Sequence, residues 1–97
     1  MKRSIIPGDD KEKCFLCGKY CWTERHHVFG GAFRKKSEYY NLTVHLCHYC
    51  HNEPPNGAHY ARAVSNYLKQ IGQKAAMEQY GWTVEQFREK FGKNYLE

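Results

Sequence analysis

The chain lacks any apolar run approaching the roughly 18–20 residues that a bilayer span requires, so a transmembrane helix is excluded. Its opening residues, MKRSIIPGDDKEK, start basic but carry no apolar segment, and no secretory signal is expected there. Internal repeats and low-complexity tracts are absent, which rules out an array architecture. Acidic side chains are in deficit: ten Asp and Glu stand against fifteen Lys and Arg, a formal net charge of +5 that suits an anionic partner. Aromatics, at 15%, are too many for wholesale disorder, and 41% hydrophobic content is a globular balance. Ninety-seven residues make one small domain, and domains of that size often lean on a metal, disulfides or a partner to hold a small core.

What is present in excess is metal-ligating chemistry. Five cysteines stand at 14, 17, 21, 47 and 50, and four of them form two C-x-x-C pairs, Cys14/Cys17 and Cys47/Cys50. An odd count without a secretory signal fits a reducing compartment and a metal site better than a disulfide framework. Four thiolates in tetrahedral array suit a structural Zn²⁺. Such an ion would clip the start of one strand to the end of another and supply much of the folding free energy. Cys14-Phe-Leu-Cys17-Gly18 has the form of a zinc knuckle, a tight turn ending in glycine. Cys21 is left over, as a strand residue, a substitute for a quartet member or a reactive thiol. All six histidines lie between positions 26 and 59, among or just after the cysteine pairs.

Along the chain, residues 1–13 read as a polar, mobile leader, 14–60 as the metal-rich core and 61–97 as packed helices, all within one domain. Residues 20–28 (YCWTERHHV), rich in aromatic and β-branched types, predict a strand ended by Gly30-Gly31. A polar loop is expected through Arg34-Lys35-Lys36-Ser37-Glu38 to Asn41. Leu42, Val44 and Leu46 then alternate with Thr43, His45 and Cys47, the period of a half-buried strand. A short helix start at 48–52 is interrupted by Pro54-Pro55-Asn56-Gly57. In the tail, Ala61, Val64, Leu68, Ile71 and Ala75 mark one apolar helix stripe, with Gly72 expected to weaken or divide it. Gly81 is a helix stop, and Thr83-Val-Glu-Gln86 has capping-box form for a last helix carrying Val84, Phe87 and Phe91.

The residues Cys14/Cys17, Arg25-His26-His27-Val28, Asn41-Leu42 and Leu46-Cys47-His48-Tyr49-Cys50-His51-Asn52 resemble, in order and spacing, the HNH family of nucleases. The chain looks most like small phage-encoded members, some of which act in recombination. The resemblance implies an α+β fold: a zinc-stabilised ββα-metal core followed by a helical C-terminal extension. It implies a metal-dependent endonuclease that cleaves DNA to leave a 3′-hydroxyl and a 5′-phosphate, working in the cytoplasm of a bacterial or phage-infected cell. His27 would be the general base, Asn41 would hold the loop and orient that base, and His26 and His51 would bind the catalytic ion. Members of the colicin type place a further histidine one helical turn on, where this chain has Pro55. The third ligand therefore lies between His59, folding back, and Asn52, with His59 favoured. Mg²⁺, Mn²⁺, Ni²⁺ or Zn²⁺ would serve as the ion.

The residue types suit that chemistry without the family. Phosphodiester hydrolysis needs a deprotonated water and a cation to hold charge building on phosphate. Adjacent strand residues point to opposite sides, so one histidine of the pair can face a metal and the other a water. Imidazole, with an unperturbed pKa of about 6.5, is a suitable base near neutrality. Arg25, Arg34, Lys35, Lys36 and Arg62 are the candidate DNA-backbone contacts, and Tyr39 and Tyr40 either stack on bases or pack beside the second strand. His45 and His48 match no family position and read as a sheet-face and a surface residue. Two alternatives remain. One is a non-catalytic two-zinc nucleic-acid-binding module, in which Cys14, Cys17 and Cys21 with His26 or His27 hold one ion, and Cys47, Cys50 and His51 part of another. The other is an accessory subunit of a recombination or packaging complex, needing a targeting or recombination protein to reach its substrate.

Overall fold

In the computed structural model, which describes residues 3–54, 57–59 and 61–96, the centre of the fold is an antiparallel pair of short strands. Strand β1 (Glu24–His27) pairs with β2 (Thr43–Leu46) in the register Glu24 with Leu46, Arg25 with His45, His26 with Val44 and His27 with Thr43. Between them come a 3₁₀ turn (Gly31–Phe33) and helix α1 (Arg34–Tyr39). After β2 follow α2 (His48–Asn52), α3 (Arg62–Tyr80) and α4 (Val84–Phe91). The architecture is α+β, as expected.

Strand β1 is shorter than the stretch 20–28. Residues before it belong to the knuckle: Lys13 bridges to Tyr20, and the Cys21 N–H donates to the Glu12 carbonyl. A second difference is α1, where a polar loop was expected. The segment carries no apolar stripe because its buried residue is a serine. Ser37 accepts from the Phe29 N–H at 3.0 Å and donates to the Phe29 carbonyl at 2.8 Å, fastening the helix to the end of β1. That hydroxyl does the work an apolar face usually does.

The leader also differs from expectation. Ile6 is only 2% exposed, and residues 4–15 satisfy the outer edge of β2. Asp9 accepts from the His45 N–H at 2.7 Å and pairs with His45 Nδ1 at 2.8 Å, the Phe15 N–H donates to the His45 carbonyl, and Ser4 donates to the Thr43 carbonyl. An unpaired strand edge is thereby covered, which unpaired backbone groups favour strongly.

Below the hairpin, α3 and α4 close the core around Phe29, whose ring lies 5.5 Å from Phe87 and 4.6 Å from Phe91 between centroids. The capping box of Thr83 and Gln86 forms as expected, and Gly81 ends α3 in the left-handed conformation at φ 70°. Buried Gln73 donates to Asn94 Oδ1 at 2.8 Å and accepts from the Tyr95 N–H at 2.7 Å, so the C-terminal residues are tied to α3. Gly72 does not divide α3, which runs unbroken through it. Its role is close approach: a Cβ there would stand 2.9 Å from Val28 Cγ1 and 3.1 Å from Phe29 Cε2. Alanine improves helix propensity by about 1 kcal/mol, but overpacking costs about 1–3 kcal/mol. Gly72→Ala is therefore expected to destabilise, lowering the urea midpoint of the metal-loaded protein; an unchanged or raised midpoint would show that the contact gives way easily.

Candidate metal centres

Two separate clusters of ligating side chains converge on the hairpin. In the first, the Sγ atoms of Cys14, Cys17, Cys47 and Cys50 all lie within 4.8 Å of one another, with Cys17 and Cys47 3.9 Å apart. Each C-x-x-C pair makes the same turn. The Cys17 N–H donates to Cys14 Sγ and the Cys50 N–H to Cys47 Sγ, both at 3.5 Å. Gly18 closes the first turn at φ 76°, donating to the Cys14 carbonyl, and Cys47 caps the start of α2. Burial disfavours ionisation of Cys14, but N–H groups of Cys17, Cys47 and Leu16 outweigh it and bring the thiol down to about 7. Burial and the neighbouring thiols push Cys50 up. A set of four close thiols in which ionisation of one opposes that of the next suits a tetrahedral dication such as zinc. Cys21 is outside the set, its Sγ directed at the Lys19 carbonyl.

The second cluster is His26, His51 and His59, whose ligating nitrogens also lie within 4.8 Å of one another. His26 and Glu24 share one face of β1 because strand residues alternate. His51 comes from α2. His59 is carried back by the chain after α2, where the Ala58 N–H donates to the Cys50 carbonyl at 2.7 Å and the His59 N–H to the His51 carbonyl at 3.2 Å. Gly57 is required in that turn, since a Cβ would meet the Glu53 backbone at 2.8 Å. Pro55 and Asn56, where the interruption was expected, lie outside the described residues.

His51 and His59 present Nε2 atoms to each other at 2.9 Å, with their ring centroids 4.6 Å apart. His26 sits edge-on to both, at 5.0 and 5.2 Å. It is 6% exposed, and its Nδ1 is a buried nitrogen without a hydrogen-bond partner among the described residues. Such an orphan is costly unless something binds it. Burial, then the neighbouring His51, His59, His27 and Lys69, bring His26 down to about 3, so it is a neutral ligand at ordinary pH. Burial likewise lowers His59. These features fit a divalent cation held by three imidazoles.

Glu24 orients the set. Its Oε1 is 2.8 Å from His51 Nδ1 and accepts from the Asn52 amide at 2.8 Å, while its Oε2 is 3.1 Å from His48 Nδ1. A carboxylate only accepts, so His51 carries its proton on Nδ1 and turns the Nε2 lone pair toward His59. The two histidines hold the Glu24 carboxyl below its ordinary range, His51 most. Asn52 is thus spent on Glu24, and of the two candidate third ligands it is His59 that joins the cluster. Glu24→Gln is expected to weaken Ni²⁺ binding at the histidines about 10–100-fold, the usual effect of removing such a partner. The metal of the cysteine quartet should be untouched. Calorimetric titration of Ni²⁺ into the zinc-loaded protein measures this, and equal affinity would show that Glu24 does not orient His51.

His27 faces the other way. Its Nε2 lies 2.7 Å from Glu38 Oε1, and Arg34 Nε donates toward its Nδ1 at 3.5 Å. Arg25 Nη2 holds the other Glu38 oxygen at 3.0 Å. His27 and then Arg25 hold the Glu38 carboxyl low. Asn41 ends α1 in the left-handed conformation at φ 60°, and its carbonyl accepts from the Ile5 N–H. The Tyr80 hydroxyl donates to the neighbouring Tyr40 carbonyl at 2.9 Å, and among the described residues no hydrogen bond joins Asn41 to His27.

Of the expected DNA contacts, Arg34 and Lys35 are exposed on α1, and Arg62 is exposed at the start of α3. Arg25 is committed to Glu38, and Lys36 donates to the Lys90 carbonyl at 2.6 Å. Tyr40 packs against Tyr80 and Trp82 and is not a base-stacking surface, whereas Tyr39 is exposed. His45 and His48 sit as expected, one on the sheet paired with Asp9 and one exposed beside Glu24 and Glu53. The alternative partition, with Cys21 and His26 or His27 joining Cys14 and Cys17, is overturned: the cysteines and histidines form separate groups. Sequence reasoning missed Glu24 and Glu38. The first was findable, standing two residues before His26 on the same strand face.

No family model matches this chain, and comparison with curated proteins and solved structures finds no similar protein. Among the described residues, no helix is long and apolar enough to cross a membrane.

Proposed function

We propose that the chain is a metal-dependent endonuclease of the HNH, ββα-metal type that hydrolyses DNA phosphodiester bonds to a 3′-hydroxyl and a 5′-phosphate. The observation that carries this reading is the meeting of His26, His51 and His59 across the hairpin and α2, beside a separate four-cysteine cluster. A closed thiolate set holds structure, whereas a three-imidazole set leaves room for phosphate and water, the division that metal-assisted hydrolysis needs. A divalent cation held there supplies charge to polarise the phosphate and to acidify water. Imidazole donors favour Ni²⁺ or Zn²⁺ in affinity, and cellular abundance favours Mg²⁺; Mn²⁺ lies between.

The chain's own residues do the rest. His26, His51 and His59 bind the ion and Glu24 orients His51. His27 donates Nε2–H to Glu38, and its Nδ1 lone pair, which the Arg34 Nε–H reaches at 3.5 Å, takes a proton from water once Arg34 turns to a phosphate. Glu38, steadied by Arg25, stabilises the imidazolium that then forms. Arg34, Lys35 and Arg62 hold backbone phosphates.

Plasmid relaxation with Mg²⁺, Mn²⁺, Ni²⁺ or Zn²⁺, beside His27→Ala and a chelator control, tests the reading. Metal-dependent nicking is expected. One observation favours a second reading, a non-catalytic metal module that binds nucleic acid: His27 is bonded to Glu38 on the sheet face opposite His26. Absence of cutting with every metal and with branched DNA, by protein that binds metal at both clusters and shifts DNA, would select that reading.

A further inference from the structure

Next to His59 the surface opens into a hollow of about 300 Å³ between the end of the returning chain and the first turns of α3. Ala58 and Ala61 leave space, and the polar wall is His59, Arg62, Ser65, Asn66 and Lys69. Positions 62, 65, 66 and 69 are spaced i, i+3, i+4 and i+7, so they share one face of the helix. Each of these side chains can offer a hydrogen-bond donor, and among the described residues no carboxylate lines the hollow. Among the described residues neither Arg62 nor Lys69 is paired with an acid, although the chain forms ion pairs elsewhere. Lys69 instead has its ammonium 5.5 Å from the Tyr95 ring centroid. A donor-rich wall with two cations, adjoining the His26, His51 and His59 cluster, is complementary to an anion that also contacts that cluster.

We infer that this face of α3 binds the phosphodiester backbone of a nucleic-acid strand, with Arg62, Ser65, Asn66 and Lys69 as phosphate contacts that lead the strand to His59. The inference rests on the nuclease reading for what happens at the histidines, but not for the binding itself. From Arg62 to Lys69 the helix rises about 10 Å. That is a row along a strand and not a grip on one ion, which favours backbone phosphate over free phosphate. It also extends the phosphate contacts from α1, where Lys36 is engaged with Lys90, along α3.

The test uses the full zinc-loaded chain carrying His27→Ala, so that substrate stays intact. Binding of a labelled duplex is followed by anisotropy across a salt series. Arg62→Ala and Lys69→Ala are each expected to weaken binding about 3–10-fold and to make the salt slope shallower by about 1. Asn66→Asp, which places a carboxylate in the hollow, should weaken it at least as much. Lys74→Ala, removing the same charge from an exposed position outside the hollow, controls for net charge and should change little. Parent-like binding by the α3 variants, or an equal loss in Lys74→Ala, overturns the inference. So does calorimetry in which inorganic phosphate binds in an Arg62- and Lys69-dependent way while DNA affinity is indifferent to them. Cleavage by His27-intact protein is scored separately. Cutting with a wild-type KM in Lys69→Ala rejects this inference and keeps the nuclease, whereas weakened binding without any cutting keeps the inference and rejects the nuclease.

Discussion

Cys47→Ser protein is expected to be unfolded at 25 °C, without the metal of the cysteine quartet, and with its near-UV circular dichroism lost. Three roles meet at Cys47: it belongs to the thiol quartet, it caps α2 and it ends β2 in the core. Serine is itself a good N-cap, so the cap is nearly retained and loss of a ligand dominates. Structural zinc contributes about 10–16 kcal/mol of apparent binding free energy in small zinc-folded peptides. Whole domains are stable by only about 5–15 kcal/mol. Even part of the metal term therefore exceeds what this small core has in reserve. Cys21→Ser is the control, because Cys21 lies outside the quartet, and it should keep both metal and fold. Metal analysis with circular dichroism of the two variants decides the matter: a folded, metal-free Cys47→Ser protein would show that packing of Phe29, Phe87 and Phe91 suffices alone.

On the proposed nuclease reading, His27→Ala is expected to cost about 10²–10⁴-fold in kcat, the usual contribution of a positioned general base, with no change in metal content or fold. His27 belongs to neither ligand cluster, and its side chain contacts Glu38 and Arg34, so its removal leaves both clusters standing. His51→Ala should differ in kind. It removes an imidazole from the metal set and frees Glu24, so added metal should restore part of its activity, whereas none should rescue His27→Ala. Single-turnover cleavage across a metal series separates the two. Wild-type cutting by His27→Ala would remove His27 from the chemistry and leave its bond to Glu38 as a structural clamp.

Much of this was legible in the chain because it depends on local spacing. A C-x-x-C pair closes its own turn, so Cys14/Cys17 and Cys47/Cys50 announce two knuckles wherever the rest of the chain goes. The Thr83–Gln86 box and Gly81 likewise act within a single turn of helix. The misreadings came where a long-range partner overrode local pattern. Arg34–Tyr39 has no apolar stripe, and its helix is fastened by one serine reaching Phe29. Residues 3–13 look polar, yet Ser4 and Asp9 find β2, more than thirty positions on in the chain, and Ile6 joins the core. Gly72 breaks a helix by propensity, but here it lets α3 approach Val28 and Phe29.

The cysteine quartet, the concentration of histidines and the α+β arrangement of a hairpin with helices are all written in local pattern, because ligand spacing and hydrophobic period are properties of near neighbours. Which histidines meet is a matter of packing. His26 and His27 are adjacent in the chain, and the pleat sends them to opposite faces. His59 reaches His51 only because Gly57 allows the chain to fold tightly back against α2. Glu24 and Glu38, two ordinary acids in the sequence, became the partners of His51 and His27 through strand pairing and the docking of α1. Convergence of groups far apart in the chain is set by packing, which no local pattern encodes.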